Sequence, residues 1–598
     1  MRGRVVASPR SRGLPEQAPV VSASAQGSVR QPGASNGAEA ESARPAGQRP
    51  RANLAGRRAA AAARQAQQQQ GQRPTRPVRP PRPAPSIAVQ GRPVPVKARA
   101  LGASEAVNDA APSVPGSRKS SVQRLAQGDG HPLTDSAAND RLFRYESSVK
   151  QAFDDIVPVL KQIATERCEP DFTQRAQRIA EREFGFSLPT HILDAAWATG
   201  LDMRRLFAWC VFETYRRVSD EFFTADPLGG RRGDDCQAFL QQCGFHLMDI
   251  TPCADGRLAH AISYVLRLPY GAVRRKSYAG SLFDIENTVE KWVETELTRF
   301  REARPNSADA PTRYLKSVVY HFSSVDPQHQ GCAAHGSDDD AAAREGWERL
   351  AAFRQAIENG FCCGASVDLL LIGMDTDTDA IRVHVPDADG QCDLNQWLDA
   401  AEVYEITRRL SANEARGRIA ELVRAHVPGQ GGTGKSLDEG MLTLIARLIE
   451  NNLSQIDYVR AFHGGGYADI GHAEQFIGAG IGFEEIQLRN LTYFAYLDTV
   501  EEGAADLDVG IKIFTGLNVS RSLPVPIVVR YDYHGSVPGA RERAVAHCER
   551  TAAALKARYP ALCTDGMLHC LRAVRDCDSG AAIEVVGSSL APVAAGAH

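Results

Sequence analysis

Not one Phe, Trp or Tyr occurs in the first 130 residues, and that absence decides where a chain of 598 residues can place a core. A segment built mainly of Arg, Pro, Ala, Gln, Ser and Gly has little apolar surface to set against the entropy of ordering it. Residues 1–130 are therefore expected to form a disordered arm, with every folded domain after them. Within the arm, Asn53–Gln72 (NLAGRRAAAAARQAQQQQGQ) is rich in strong helix formers and could fold on contact with a partner. Otherwise it reads as a solvated linker.

Charge divides at the same point. The arm holds 21 Lys and Arg against 6 Asp and Glu, a net of +15, while the remainder holds 48 against 66, a net of -18. A basic arm on an acidic body implies an acidic partner, either nucleic acid or an acidic protein surface. Missing aromatics deprive the arm of stacking platforms, which argues against nucleic acid.

The bulk numbers exclude other classes. Hydrophobic residues make up 43% and charged residues 24%, as in ordinary globular proteins. No apolar run approaches the roughly 18 residues of a membrane span, and no secretion signal opens the chain. The expectation is a cytoplasmic protein without a membrane span. Thirteen cysteines, an odd number, then read as reduced thiols rather than a disulfide framework.

After the arm, apolar spacing at i, i+3 and i+4 predicts a helical domain over residues 131–228. From 229 to 475 the texture becomes mixed α/β, with strands expected at HLMDI, Lys316–Ser323, Val367–Ile372 and Ala380–Val385. Residues 476–598 repeat that texture. There, DLDVGIKIFTGLNVSRSLPVPIVVRYDYHG resembles SVDLLLIGMDTDTDAIRVHVP in its order of strand, Gly-containing loop and strand. A duplicated domain is the reading, and the second copy lacks a C-x-D-x-R element, so it is expected to be inert.

The sharpest chemistry lies at Cys253-Ala-Asp255-Gly-Arg257, directly after HLMDI. At a strand end this spacing sets a thiolate beside a carboxylate that a guanidinium can grip through two charge-assisted bonds. His321 ends the apolar run SVVY, and Cys332 follows in a Gly-containing loop. Each alone reads as structural. Together, two sulfurs and one nitrogen leave the fourth tetrahedral position of zinc open for water, the pattern of catalytic sites. Cys362-Cys363 and His569-Cys570 are adjacent pairs, whose side chains would point to opposite faces of a strand. A zinc deaminase would need a C-x-x-C pair, which is missing.

The order C-x-D-x-R, strand-end His, loop Cys resembles the site of β-type carbonic anhydrases. Those carry H-x-x-C, whereas here Cys332 comes eleven positions after His321. That longer gap, with the words ITPCADGRLAH, VVYHFSSVDP and NNLSQIDYV, resembles the carboxysome shell carbonic anhydrase family, a diverged β-type group formerly called the ε class. The resemblance runs over roughly residues 135 to 595. It implies a mixed α/β fold in which a helical domain precedes a zinc-bearing catalytic domain and a C-terminal relic of that domain. The two halves would mimic the paired subunits of simpler β-type enzymes. It further implies a carbonate dehydratase, a lyase holding one zinc through Cys253, His321 and Cys332. Asp255 would orient the zinc-activated water that attacks CO2, and Arg257 would keep Asp255 ionised. His260, His335 and His384 are candidates to carry the proton away, each otherwise a packed or surface histidine. The family also implies a place in the carboxysome, a shell partner, an assembly built from dimers, and Rubisco as an acidic partner; the further expectation is that Arg57, Arg58 and Arg64 help dock the arm on it.

One decoy competes. Gly429-Gln-Gly-Gly-Thr-Gly434-Lys435-Ser436 matches the P-loop pattern in full. A P-loop follows a buried strand, yet the preceding ANEARGRIAELVRAHVP has helical spacing, and no later strand ends in a metal-binding Asp. The simpler reading is a Gly-rich connector. A P-loop NTPase and a zinc-stapled scaffold without activity are the alternatives. A fourth protein ligand closing the metal would favour the scaffold.

Overall fold

The computed structural model describes residues 130–229, 234–307, 312–360, 366–428, 437–497 and 500–590. Residues 1–129, with Arg57, Arg58 and Arg64, lie outside these, as do Cys362-Cys363 and the stretch Gly429–Ser436.

Five helices open the fold: α1 Ser136–Asp154, α2 Ile156–Thr165, α3 Phe172–Glu183, α4 Thr190–Thr199 and α5 Met203–Ala225. The N-cap carboxylates Asp135 and Asp202 accept bonds from the backbone N–H groups of Ala138 and Arg205. Leu142, Tyr145, Val149 and Phe153 recur along one face of α1 and are buried. That face continues into the C-terminal half, where Phe476 stacks against Phe153 and meets the Tyr215 ring edge-on.

A six-stranded sheet follows, from β1 Leu247–Pro252, β2 Arg274–Arg275, β3 Arg313–Phe322, β4 Ser366–Asp375, β5 Ile381–His384 and β6 Leu398–Asp399. Its order is β2-β1-β3-β4-β5-β6. The four strands expected from the sequence are present. β3 is paired in parallel on both sides, and Tyr314–Phe322 is buried throughout, as expected of a strand covered on both faces. Helices α6 Asp234–Gln242, α7 Ile285–Arg301, α8 Asp339–Gly360, α9 Ala400–Thr407, α10 Ala412–Ala425 and α11 Glu439–His463 share buried apolar clusters with this sheet, and α8 packs directly on β3. α10 runs up to the Gly-rich stretch with Ile419 and Val423 on its buried face, so a helix precedes that stretch as its spacing predicts.

The last segment builds a second sheet from β7 Phe476–Ile481, β8 Thr492–Ala495, β9 Val525–Tyr533, β10 Leu568–Asp576 and β11 Glu584–Ser588. Its order, β11-β10-β9-β7-β8, repeats β5-β4-β3-β1-β2 strand for strand. In both sheets the corresponding pairs are parallel except the last, β4 with β5 and β10 with β11, which are antiparallel. The duplication is there, but the segments match differently from the sequence reading. DLDVGIKIF is not a strand: it lies within helix α12, Val500–Leu517. Leu507, Ile511 and Phe514 fall on one buried helical stripe. The counterpart of β3 is β9, and that of β4 is β10. α13 Ala540–Arg558 and α14 Pro560–Thr564 complete this half.

Candidate metal centre

The parallel register sets the site. Pro252 at the end of β1 pairs with Val319 on β3, two residues before His321. Cys253 and His321 therefore emerge side by side at the carboxyl ends of neighbouring strands, where ligands of parallel sheets gather. Cys332 arrives from the loop beyond β3. Its Sγ lies 3.9 Å from that of Cys253, and the ligand atoms of Cys253, His321 and Cys332 all fall within 4.8 Å of one another.

Burial sharpens the arrangement. Cys253 is 6% exposed, Cys332 3% and His321 0%. Neither ring nitrogen of His321 has a hydrogen-bond partner. A buried imidazole without partners costs free energy unless something else occupies its lone pair. Two metal–sulfur bonds of ~2.3 Å at a tetrahedral angle would set the sulfurs ~3.8 Å apart, close to the separation here. Residues and geometry thus fit a tetrahedral ion that prefers nitrogen and sulfur. No fourth protein ligand joins the three among the described residues. Sharing a proton with Cys253 pulls Cys332 below the usual thiol value, against its burial, while Cys253 is pushed up.

Asp255 and Arg257 meet as a bidentate pair. Arg257 Nε donates to Asp255 Oδ1 at 3.0 Å and Nη2 to Oδ2 at 2.7 Å. The same guanidinium donates through Nη1 to the carbonyls of Gln330 (2.6 Å) and Ile470 (3.2 Å), so it also holds the loop that carries Cys332. Burial opposes ionisation of Asp255, but the Arg257 charge overrides it and holds the carboxyl well below its ordinary value. Asp255 Oδ2 lies 3.7 Å from His321 Nε2, beside the ligand set.

The loop between α11 and β7 supplies residues that no spacing in the sequence pointed to. His472 Nε2 is 4.0 Å from Asp255 Oδ2, and its Nδ1 is 2.9 Å from Glu474 Oε1. Glu474 Oε1 also accepts from Gly256 N (3.1 Å), and the Gly256 carbonyl accepts from Asn490 N (2.7 Å). Burial and the Arg257 charge would lower His472, but Asp255 and the bond with Glu474 raise it to about 9. The three histidines proposed from sequence are packed. His260 is bound to Asp379 at 2.7 Å. His384 meets the Tyr320 hydroxyl at 2.9 Å and is lowered by burial to about 4. His335 Nε2 is 3.0 Å from the Gly280 carbonyl.

Two thiols and an imidazole around an open position, with a clamped carboxylate alongside, define a metal-dependent enzyme of the carbonic anhydrase kind. Models of three domains of one family cover nearly all the described residues: Carboxysome Shell Carbonic Anhydrase, N-terminal over 131–223, catalytic domain over 235–472 and C-terminal over 473–590. The carboxysome shell carbonic anhydrase of Prochlorococcus marinus (strain MIT 9313) is 58% identical over 486 residues, 81% of this chain and 93% of the relative. That of Halothiobacillus neapolitanus (strain ATCC 23641 / c2) is 47% identical over 467 residues, 77% of this chain and 90% of the relative. The chain belongs to the carboxysome shell carbonic anhydrase family.

Proposed function

We propose that Cys253, His321 and Cys332 hold a single zinc ion, and that Asp255 with Arg257 directs the reversible hydration of CO2 to bicarbonate on it. The carbonic anhydrase activity itself comes with the family, and its place is the carboxysome, as in the relatives. The observation that carries the assignment to residues is the wholly buried His321 ring, with both nitrogens unpartnered, facing two sulfurs 3.9 Å apart.

A zinc ion held by these three residues would supply a water nucleophile at neutral pH, because bound zinc lowers the pKa of water toward about 7. Asp255, held ionised by Arg257, would accept a hydrogen bond from the attacking water and so orient it toward CO2. Arg257 fixes the carboxylate in that pose, because its guanidinium is itself anchored on the carbonyls of Gln330 and Ile470. His472, raised to about 9, already holds a proton at neutral pH; with its side chain 26% exposed it would give that proton to solvent or buffer and then take up the one set free. Metal analysis beside a CO2-hydration assay tests the ligand set: Cys253→Ala should lose both zinc and activity. A variant that lost the metal and still turned over would refute it.

The domain division that accompanies this reading is an arm over 1–130, a helical domain over 131–228, the catalytic domain over 229–475 and a degenerate copy over 476–598. The chain forms an assembly built from dimers, checked by light scattering. Arg57, Arg58 and Arg64 dock the arm on Rubisco, with a contact that weakens steeply as salt screens it. Equal binding and an unchanged salt response after removal of residues 1–130 would remove that docking from the account.

A further inference from the structure

The turn Tyr278–Ser281 belongs to neither the ligand set nor the Asp255–Arg257 pair, yet it touches every segment that bears a ligand. It runs beside the Cys253 loop: Tyr278 N donates to the Pro252 carbonyl at 3.2 Å, and Ala254 N donates to the Tyr278 carbonyl at 2.9 Å. Gly280 N–H then donates to Cys253 Sγ at 3.3 Å. Ser281 Oγ donates to the carbonyl of Val319, two residues before His321, at 2.8 Å. The Gly280 carbonyl faces His335 Nε2, three residues beyond Cys332, at 3.0 Å. A carbonyl only accepts, so Nε2 of that ring carries the proton.

Two anchors hold this turn from opposite sides. One is the His335 ring, its side chain 1% exposed, with Nδ1 3.5 Å from Glu345 Oε2. The other crosses from the C-terminal half. Asp506 on α12, itself 4% exposed, accepts from Ala279 N at 2.6 Å through Oδ1. Only glycine suits the turn at position 280. Gly280 has φ +64, and a side chain there would drive its Cβ to 2.8 Å from His335 Nε2.

We infer that Asp506 and His335 are positioning residues for the metal ligand Cys253: they fix the Tyr278–Ser281 turn so that the Gly280 N–H points at the thiolate. An N–H aimed at a ligating sulfur stabilises its charged form and orients its lone pairs, and such supporting contacts contribute about 10- to 100-fold to metal affinity. On this account the degenerate half has a task in the reaction centre it lost, because one of its carboxylates holds the working half's thiolate in aim. The inference rests on Cys253 being a ligand.

The test measures zinc release from the full chain to a chromophoric chelator, together with the thiolate-to-metal charge-transfer band of the cobalt(II)-substituted protein. Asp506→Ala and His335→Leu should each release zinc about 10- to 100-fold faster and shift the band. Asp506→Asn, which keeps an acceptor, and His335→Gln, which keeps an N–H donor, should restore most of both. A merely structural role for the two residues would lower the melting temperature and leave the band where it was. Wild-type release and an unshifted band in Asp506→Ala and His335→Leu overturn the inference. Should Asp506→Ala fail to fold, His335→Leu against His335→Gln decides it. Cys253→Ala separates the two levels: if it keeps full zinc, the ligand reading fails. If it loses zinc while the turn variants behave as wild type, only the present inference fails.

Discussion

Arg257 shows how much one side chain can be asked to do. Buried and 1% exposed, it grips Asp255 with two bonds and reaches the carbonyls of Gln330 in the Cys332 loop and of Ile470 in the loop before β7. Lysine keeps the charge but has no planar fork, so it cannot satisfy a carboxylate and two carbonyls at once. Arg257→Lys should therefore bind its full zinc and still lose about 10- to 100-fold in kcat/KM, the cost of one charge-assisted hydrogen bond, measured by stopped-flow hydration. His472 makes a different prediction. If its ring carries the proton outward, His472→Ala should lower kcat more than kcat/KM, and added imidazole buffer should restore it; no recovery at any buffer concentration would remove the residue from the proton path. Asp255 and Arg257 were legible in the sequence because they share one short motif with Cys253. His472 and Glu474 were not, since more than 200 residues separate them from that motif and only tertiary packing of the loop before β7 joins them.

At the scale of elements, the two sheets share a plan and differ in what fills the strand ends. In the first sheet that place holds the proposed ligands Cys253 and His321. In the second, Arg530 on β9 is wholly buried and grips Asp532 through Nε (2.6 Å) and Nη2 (2.9 Å), Glu485 (2.6 Å) and the Tyr215 hydroxyl (3.0 Å). A protein-borne cation takes the carboxylates there. Removing it would strand two buried carboxylates, and breaking a buried pair costs about 3 to 5 kcal/mol. Arg530→Met should lower the denaturant midpoint accordingly, while the fraction still folded keeps its zinc. Equal midpoints would show that water reaches the network. The strands β1, β3, β4 and β5 were visible in the sequence as short β-branched runs. α12 was misread there because Leu507, Ile511 and Phe514 lie close to Val509 and Ile513, and in a short window such a cluster fits either period.

Across the whole molecule, the ligand set draws on residues 253 to 332, while the groups that hold its loops come from as far as Asp506. Metal binding should therefore stabilise contacts between the halves as well as the first sheet. Stripping zinc with a chelator should abolish hydration and lower the calorimetric melting temperature, and restoring zinc should recover both, because the folded chain binds the ion more tightly than the unfolded one. A melting temperature indifferent to zinc would mean that these loops are set without the ion.

What the sequence determined alone was local. The lack of aromatics before residue 130 placed the core, the periodicities ordered most of the elements, and one short motif with a strand-end His and a loop Cys named the chemistry and the family. Tertiary structure decided everything that depends on distance in space rather than along the chain. It matched β9 to β3, brought His472 and Glu474 to Asp255, and laid the Tyr278–Ser281 turn against Cys253 under Asp506. Spacing reports which side chains share a face of one element. Which faces meet is settled only when the separate elements bury their apolar surfaces against each other.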